Sequence, residues 1–104
     1  MRFAESQVGK PYCWGGTGPS CFDCSGFVQT AYNYVGVRVP RTSEAQAKAL
    51  PAISPYALQP GDVLYWPGHV AIYVGGGDVI DALGKKYGVV RRKPREAPER
   101  ILRP

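Results

Sequence analysis

Four side chains carry the thiol and imidazole chemistry of this chain: Cys13, Cys21, Cys24 and a single histidine, His69. A thiol reacts as its thiolate, and an ordinary cysteine, with a pKa of about 8.5, is mostly protonated at neutral pH. Two devices can favour the thiolate at Cys24. The spacing around it predicts a helix that starts there, and a helix start aims backbone N–H groups and the positive end of the dipole at its first residues. A histidine close by can hold the proton in a thiolate–imidazolium pair. If such a pair exists, its base is His69.

A hairpin can supply a third member. His69 opens a predicted strand, and Asp81 lies on the next one, across Gly75-Gly76-Gly77. They are twelve residues apart, centred on residue 75. A register with that centre makes them face each other on one side of the sheet. Shifting the pairing by two leaves them diagonal on the same face, whereas a one-residue slip or bulge would separate them. Asp81 could then orient the imidazole, the third role of a catalytic triad. Ala71 falls on the same face, small enough to leave room for a helix bearing Cys24.

Plainer readings fit the same residues. Cys24 could be a small buried hydrophobe, His69 a surface histidine beside Gly68, and Asp81 a solvent-facing strand residue. Three cysteines and a histidine could also bind zinc, although Cys13-x₇-Cys21-x₂-Cys24 lacks the paired CxxC of the familiar frameworks. Cys21-x-x-Cys24 has redox-dithiol spacing, without the βαβ context that would support it. An odd count is met most simply by one pair and one free thiol.

The elements that must position these groups can be read from patterning. Residues 3–9 predict a short helix ending at Gly9, with Pro11 blocking continuation. Residues 12–22 read as a loop rich in Gly, Pro, Ser and Thr. Phe27, Val28, Ala31, Tyr32 and Val35 recur at helical spacing, which predicts a helix over 24–35 with Asp23 as N-cap and Gly36 as stop. A second helix is predicted over about 44–50, with Ser43 and Gln46 at capping-box spacing. Pro51 and Pro55 mark a loop, and residues 59–62 a turn. Strands are predicted over 63–66, 69–74 and 78–82, with a further one at 88–92 and Ile101-Leu102 as a final edge. Helices followed by an antiparallel sheet make an α+β plan.

The length of 104 residues suits one domain, 1–104, and no second. Composition is globular, at 44% hydrophobic and 20% charged. No apolar run approaches the roughly 20 residues that span a bilayer. The start, Met1-Arg2-Phe3-Ala4-Glu5, lacks the apolar stretch of a signal peptide. The chain is therefore expected to stay where it is made, to leave by an unusual route, or to be a domain of a longer protein. The net charge of +5 is concentrated late, in Lys85, Lys86, Arg91, Arg92, Lys93, Arg95, Arg100 and Arg103. Such a surface favours polyanions, either nucleic acid or a bacterial wall with acidic polymers. No nucleic-acid motif accompanies it, so a solvated tail is the simpler reading and no nucleic acid is expected. A monomer is the default.

Pro11-Tyr12-Cys13-Trp14-Gly15-Gly16, followed by Phe22-Asp23-Cys24-Ser25-Gly26, resembles the N-terminal signature of the NlpC/P60 peptidases. Pro40-Arg41-Thr42-Ser43 with Gln46, then Leu58-Gln59-Pro60-Gly61-Asp62-Val63, then His69-Val70-Ala71-Ile72-Tyr73-Val74-Gly75, resemble its later blocks in order. The resemblance covers residues 4 to 92. It implies a papain-like α+β fold, with N-terminal helices packed on a small antiparallel sheet. It implies hydrolysis of an amide bond in the peptidoglycan stem peptide, typically between γ-linked D-glutamate and a diamino acid, with no metal or other cofactor. By position Cys24 matches the nucleophile and His69 the base. Tyr12 matches a tyrosine lining the active site, and Asp23 and Ser25 match positions that hold the stem peptide, including its free amine.

Asp81 departs from the family pattern, which usually has His, Asn or Gln there and sometimes an acid. A carboxylate can accept the second imidazole N–H, so Asp81 is kept as third member. Cys13 and Cys21 are extra to the pattern, and their joint presence suggests a disulfide closing the loop beside the active site, against two unrelated thiols. The resemblance places the action outside the cell or at the wall, as a phage lysis or virion domain or as part of a secreted bacterial hydrolase. The rivals are a non-catalytic wall-binding module on the same fold, an amidase at the sugar–peptide junction, an acyltransferase, and a nucleic-acid-binding protein using the basic tail.

Overall fold

The helix that carries Cys24 is defined at both ends by side chains the sequence supplies. In the computed structural model, which describes residues 2–104, α2 runs Cys24–Tyr34. Met1, the first residue of the expected domain, lies outside the described residues. Asp23 is extended, and its carboxylate accepts the Gly26 N–H at 2.6 Å, which satisfies one of the amides a helix start leaves unpaired. At the other end Gly36 N–H donates to Asn33 O and Val37 N–H to Tyr32 O, with Gly36 at φ 82°. This is the Schellman closure, which needs a left-handed residue after the cap and so favours glycine. The face bearing Phe27, Val28, Ala31 and Tyr32 is buried.

α1 spans Arg2–Ser6, shorter than expected, because the chain turns before Gly9. α3 spans Ser43–Ala49. Its cap is Thr42, whose hydroxyl accepts the Ala45 N–H at 3.2 Å. The predicted Ser43–Gln46 capping box does not form. Ser43 Oγ instead donates to Glu44, and the Gln46 amide donates to Ser25 O and Pro40 O, bracing α3 against the start of α2.

Six strands form one antiparallel sheet in the order β1-β6-β2-β3-β4-β5: Ala52–Ile53, Val63–Trp66, His69–Gly75, Asp78–Ala82, Val89–Arg92 and Arg100–Leu102 in chain order. β6 is not an edge as expected. It lies between β2 and β1, a two-residue strand that the prolines around it disguised as loop. Ile72 pairs with Ile80 and Tyr73 with Val79, so the β3–β4 hairpin is centred on residue 76. Extending that register sets Asp81 opposite Ala71 and puts His69 and Asp81 in the diagonal relation. The irregularity between Tyr73 and Gly75 lies towards the turn from both residues, so it does not separate their faces.

Alternation along β3 decides which side they occupy. Val70 and Ile72 join the main core with Phe27, Val28, Ala31 and Tyr32 of α2. Ala71 belongs to a smaller cluster on the opposite face, with Leu64 and Val79. The expectation that Ala71 makes room for the helix is thus corrected. α2 packs on the other face of β3, and Cys24, at its start, lies by the Gly68 carbonyl that precedes His69.

Candidate active site

The loop before α2 is locked to the helix start. Cys13 and Cys21 form a disulfide with Cα atoms 5.5 Å apart, which leaves Cys24 as the free thiol. Both the zinc set and the Cys21–Cys24 dithiol considered above lose cysteines to this bond. Within the loop, Cys13 N–H donates to Phe22 O and Phe22 N–H to Pro11 O, so Tyr12 is held beside the residues leading into Cys24. Asp23 N–H donates to Gly16 O at 2.9 Å. A Cβ on Gly26 would collide with that same Gly16 carbonyl, so this close approach of loop and helix requires glycine.

Asp23 gathers more than a cap. Its carboxylate accepts from Arg41 Nη1 at 3.0 Å and Nη2 at 2.7 Å, from Gly15 N–H at 3.1 Å, and from Ser25 Oγ at 3.4 Å. Burial raises its pKa, but these bonds and the Arg41 charge outweigh that and hold it below the usual carboxylate value. Arg41 also donates to Ser25 Oγ at 3.0 Å.

His69 enters from the sheet. β2 and β3 join through Pro67-Gly68, with Trp66 paired to His69 and Gly68 at φ 80°, the conformation a proline–glycine turn supplies. Glu44 of α3 accepts the Gly68 N–H at 3.1 Å, and Gly68 O lies 3.9 Å from Cys24 Sγ. The turn is therefore the seam between the helical and sheet halves.

His69 Nε2 meets Asp81 Oδ2 at 2.7 Å, and Asp81 is 0% exposed. Arg92 donates to both Asp81 oxygens, with its shortest contact 2.6 Å from Nη2 to Oδ2. Burial raises the Asp81 pKa, but the bonds from His69 and Arg92 and their charges lower it further, so Asp81 is a carboxylate. A carboxylate only accepts, so the proton between them belongs to His69 Nε2. That leaves Nδ1 for Cys24. Burial would lower the His69 pKa, but hydrogen bonds to Asp81 and Cys24, with their charges, push it up to about 9. The imidazolium is therefore the dominant form at neutral pH.

Two grooves flank the Cys24–His69 meeting point. One, about 530 Å³, is lined by Tyr12, Trp14, Asp23, Ser25, Arg41 and Glu44 among others. Trp14 is 86% exposed there. The other, about 620 Å³, runs past His69 and is walled by Trp66, Tyr87, Arg92, Arg95 and Glu96. All six residues singled out from sequence thus converge: Tyr12, Asp23, Cys24 and Ser25 on one side, His69 and Asp81 on the other.

Arg41, Glu44 and Arg92 were not foreseen as site residues. Arg41 stood inside a recognised motif, but only the fold shows it reaching Asp23. Arg92 was counted with a solvated basic tail. Much of that tail is paired instead: Arg91 and Lys93 with Asp78, Arg92 with Asp81, and Arg103 with Asp62.

The NlpC/P60 family model matches residues 9–99. A probable endopeptidase of Corynebacterium glutamicum is 48% identical over 83 residues, covering 77% of this chain and 40% of that protein. The chain spans less than half the length of that relative. The peptidoglycan hydrolase RipB of Mycobacterium tuberculosis has a similar structure, with a TM-score of 0.86 at 37% identity over 98% of this chain and 61% of that one. RipD of the same organism, described as a non-catalytic NlpC/P60 domain protein adapted to peptidoglycan binding, gives 0.83 at 28% identity over 96% of this chain and 90% of that one.

Proposed function

The chain is a member of the NlpC/P60 family, and from that premise we propose that it is a cysteine peptidase hydrolysing the γ-D-glutamyl–diamino acid bond of the peptidoglycan stem peptide. One observation carries this reading beyond membership. The free thiol at a helix start sits beside the turn that carries His69, close enough to raise the imidazole pKa, and the far nitrogen of that imidazole is held by a buried carboxylate.

The mechanism uses these groups in order. Cys24 thiolate attacks the amide carbonyl, forming the C–S bond and a tetrahedral oxyanion. The Cys24 N–H is among the first helical amides, which have no intrahelical partner, and it faces the developing charge. Tyr12 assists as a donor. Its pKa is raised by burial and by the charges of Cys24 and Asp23, which keeps its hydroxyl protonated at neutral pH. The His69 imidazolium protonates the departing amine. As neutral imidazole it then takes a proton from water, which attacks the thioester and frees the acid and Cys24. Asp81 fixes the ring and stabilises its charged form. Asp23 and Ser25, with Tyr12, hold the acyl side of the stem peptide. No metal takes part in these steps. The enzyme acts as a monomer at the wall, outside the cytoplasm, delivered by a longer secreted protein or encoded by a phage as an endolysin.

RipD keeps the wall-binding alternative in view, since that protein shares the fold and is described as non-catalytic. Here Cys24, His69 and Asp81 are all present and joined, and a binding module has no need of them. Amidase cleavage at the sugar–peptide junction and acyl transfer would use the same thiol, so product masses must separate them. The test is digestion of purified peptidoglycan by the wild type and by Cys24→Ala. Fragments cut within the stem by the wild type alone are expected. Equal release by the variant, or no release from walls of several chemotypes, would overturn the assignment.

A further inference from the structure

Three adjacent strands each send one side chain to the sheet face opposite α2. Asp81 of β4 pairs with Val90 of β5, so Arg92 is its diagonal neighbour on that face. Arg91 has the opposite parity and bonds Asp78 instead. His69 of β3 stands diagonal to Asp81 on the other side. The result is a row, His69–Asp81–Arg92, with the carboxylate in the middle.

The two cations meet on one oxygen. Asp81 Oδ2 accepts from His69 Nε2 at 2.7 Å and from Arg92 Nη2 at 2.6 Å, while Oδ1 accepts from Arg92 Nε at 3.1 Å. Asp81 is wholly buried, so water neither orients it nor screens it. Facing an imidazolium alone, such a carboxylate would hold the proton on the ring with its full charge. That is a poor setting for a ring that must give a proton to an amine and later take one from water, because an acid–base group works best with its pKa near the operating pH. The guanidinium changes the setting in two ways. Its fork fixes the plane of the carboxylate, and its charge opposes the imidazolium across the shared oxygen.

Resting on the peptidase reading above, we infer that Arg92 is a positioning residue for the reaction. Acting through Asp81, it aims Oδ2 at the imidazole and offsets enough of the carboxylate's charge for His69 to exchange its proton with the leaving amine and with water. Besides Asp81 and Arg92, the charged or titratable groups near the ring are Cys24 from α2, Glu44 of α3 on the Gly68 amide, and Tyr87, Lys93, Arg95 and Glu96 along the groove. Lys93 is held by Asp78 and Gly76 O. Among the described residues, Arg92 is the cation bonded to the carboxylate that holds the ring.

The test is an NMR titration of the one histidine in Arg92→Gln and Arg92→Lys, with kcat on a stem peptide followed across pH. Removing a cation favours the charged ring, so in Arg92→Gln the midpoint should climb from the wild-type value of about 9 to about 10, a small effect for one neighbouring charge. Near neutral pH, kcat should fall by about tenfold, because about tenfold less of the ring is neutral to activate water. That loss should shrink as the pH is raised. Arg92→Lys restores the charge without the fork, so its midpoint should stay near 9, and it decides the matter if Arg92→Gln does not fold. An even loss of kcat at every pH with an unmoved midpoint would mark Arg92 as packing alone and overturn the inference. So would a midpoint in Arg92→Gln that falls towards the ordinary histidine value, or one in Arg92→Lys that rises to about 10. A wild type that leaves the stem peptide uncut would instead strike the peptidase reading, and with it the reaction Arg92 serves, whatever the titration shows.

Discussion

Two carboxylates in the site are each gripped by an arginine, yet they do different work. Asp23, with Arg41, sits in the helical half; Asp81, with Arg92, sits in the sheet half. Asp23 spends its oxygens on the backbone amides of Gly15 and Gly26. Besides the stem-peptide contact proposed for it, Asp23 joins loop to helix and sets where Cys24 begins. Among the described residues, no backbone amide donates to the Asp81 carboxylate; its partners are a guanidinium and the ring that titrates. One carboxylate places an atom, and the other sets a protonation state. The first job needs an oxygen lone pair, whereas the second needs the negative charge.

Replacing each aspartate by asparagine breaks the symmetry. The largest effect is expected at Asp81→Asn, which removes the charge opposing the imidazolium and admits the wrong tautomer. Steady-state kinetics on a stem peptide should show kcat falling by about 10²- to 10³-fold, within the range of general acid–base contributions. The same change at Asp23 should cost under about tenfold, since asparagine caps a helix nearly as well as aspartate. Equal losses at the two positions would erase the distinction. Asp23→Ala sharpens it from the side of stability. It removes a cap worth about 1 kcal/mol and leaves Arg41 without its carboxylate partner. Thermal unfolding should show a fall of roughly 5–10 °C, at about 4–8 °C per kcal/mol for a domain of this size. A fall as large in Asp23→Asn would mean that the Arg41 charge pair, not the cap, holds the junction.

The same contrast explains what could be read from sequence. The helix start at Cys24 was legible because Asp23, the apolar spacing and Gly36 are local signals. The strands were legible from β-branched runs and glycine turns, and the even spacing of His69 and Asp81 allowed both to share a face, a condition the β3–β4 register meets. What escaped lies at long range. Ala52–Ile53 was hidden because its pairing with Leu102 and Ile101 joins distant segments through prolines. Arg92 was read as part of a solvated basic tail and Arg41 only as part of a motif, since nothing local says that a cation will fold onto a carboxylate. The route by which Cys24 reaches His69 was misjudged, because parity fixes faces within a sheet but not which face a helix covers. The disulfide, suggested by two cysteines extra to the family pattern, forms as expected.

The central claim is that His69 is held as an imidazolium by Asp81 beside Cys24. The most direct measurement is an NMR titration of the imidazole ring protons, which are unambiguous because the chain has one histidine. The pKa is raised in the fold, so the ring should stay charged through neutral pH and lose its proton at about 9. In Asp81→Asn the midpoint should drop towards the ordinary value of about 6.5. A wild-type midpoint already near 6.5, unmoved by the substitution, would contradict the account.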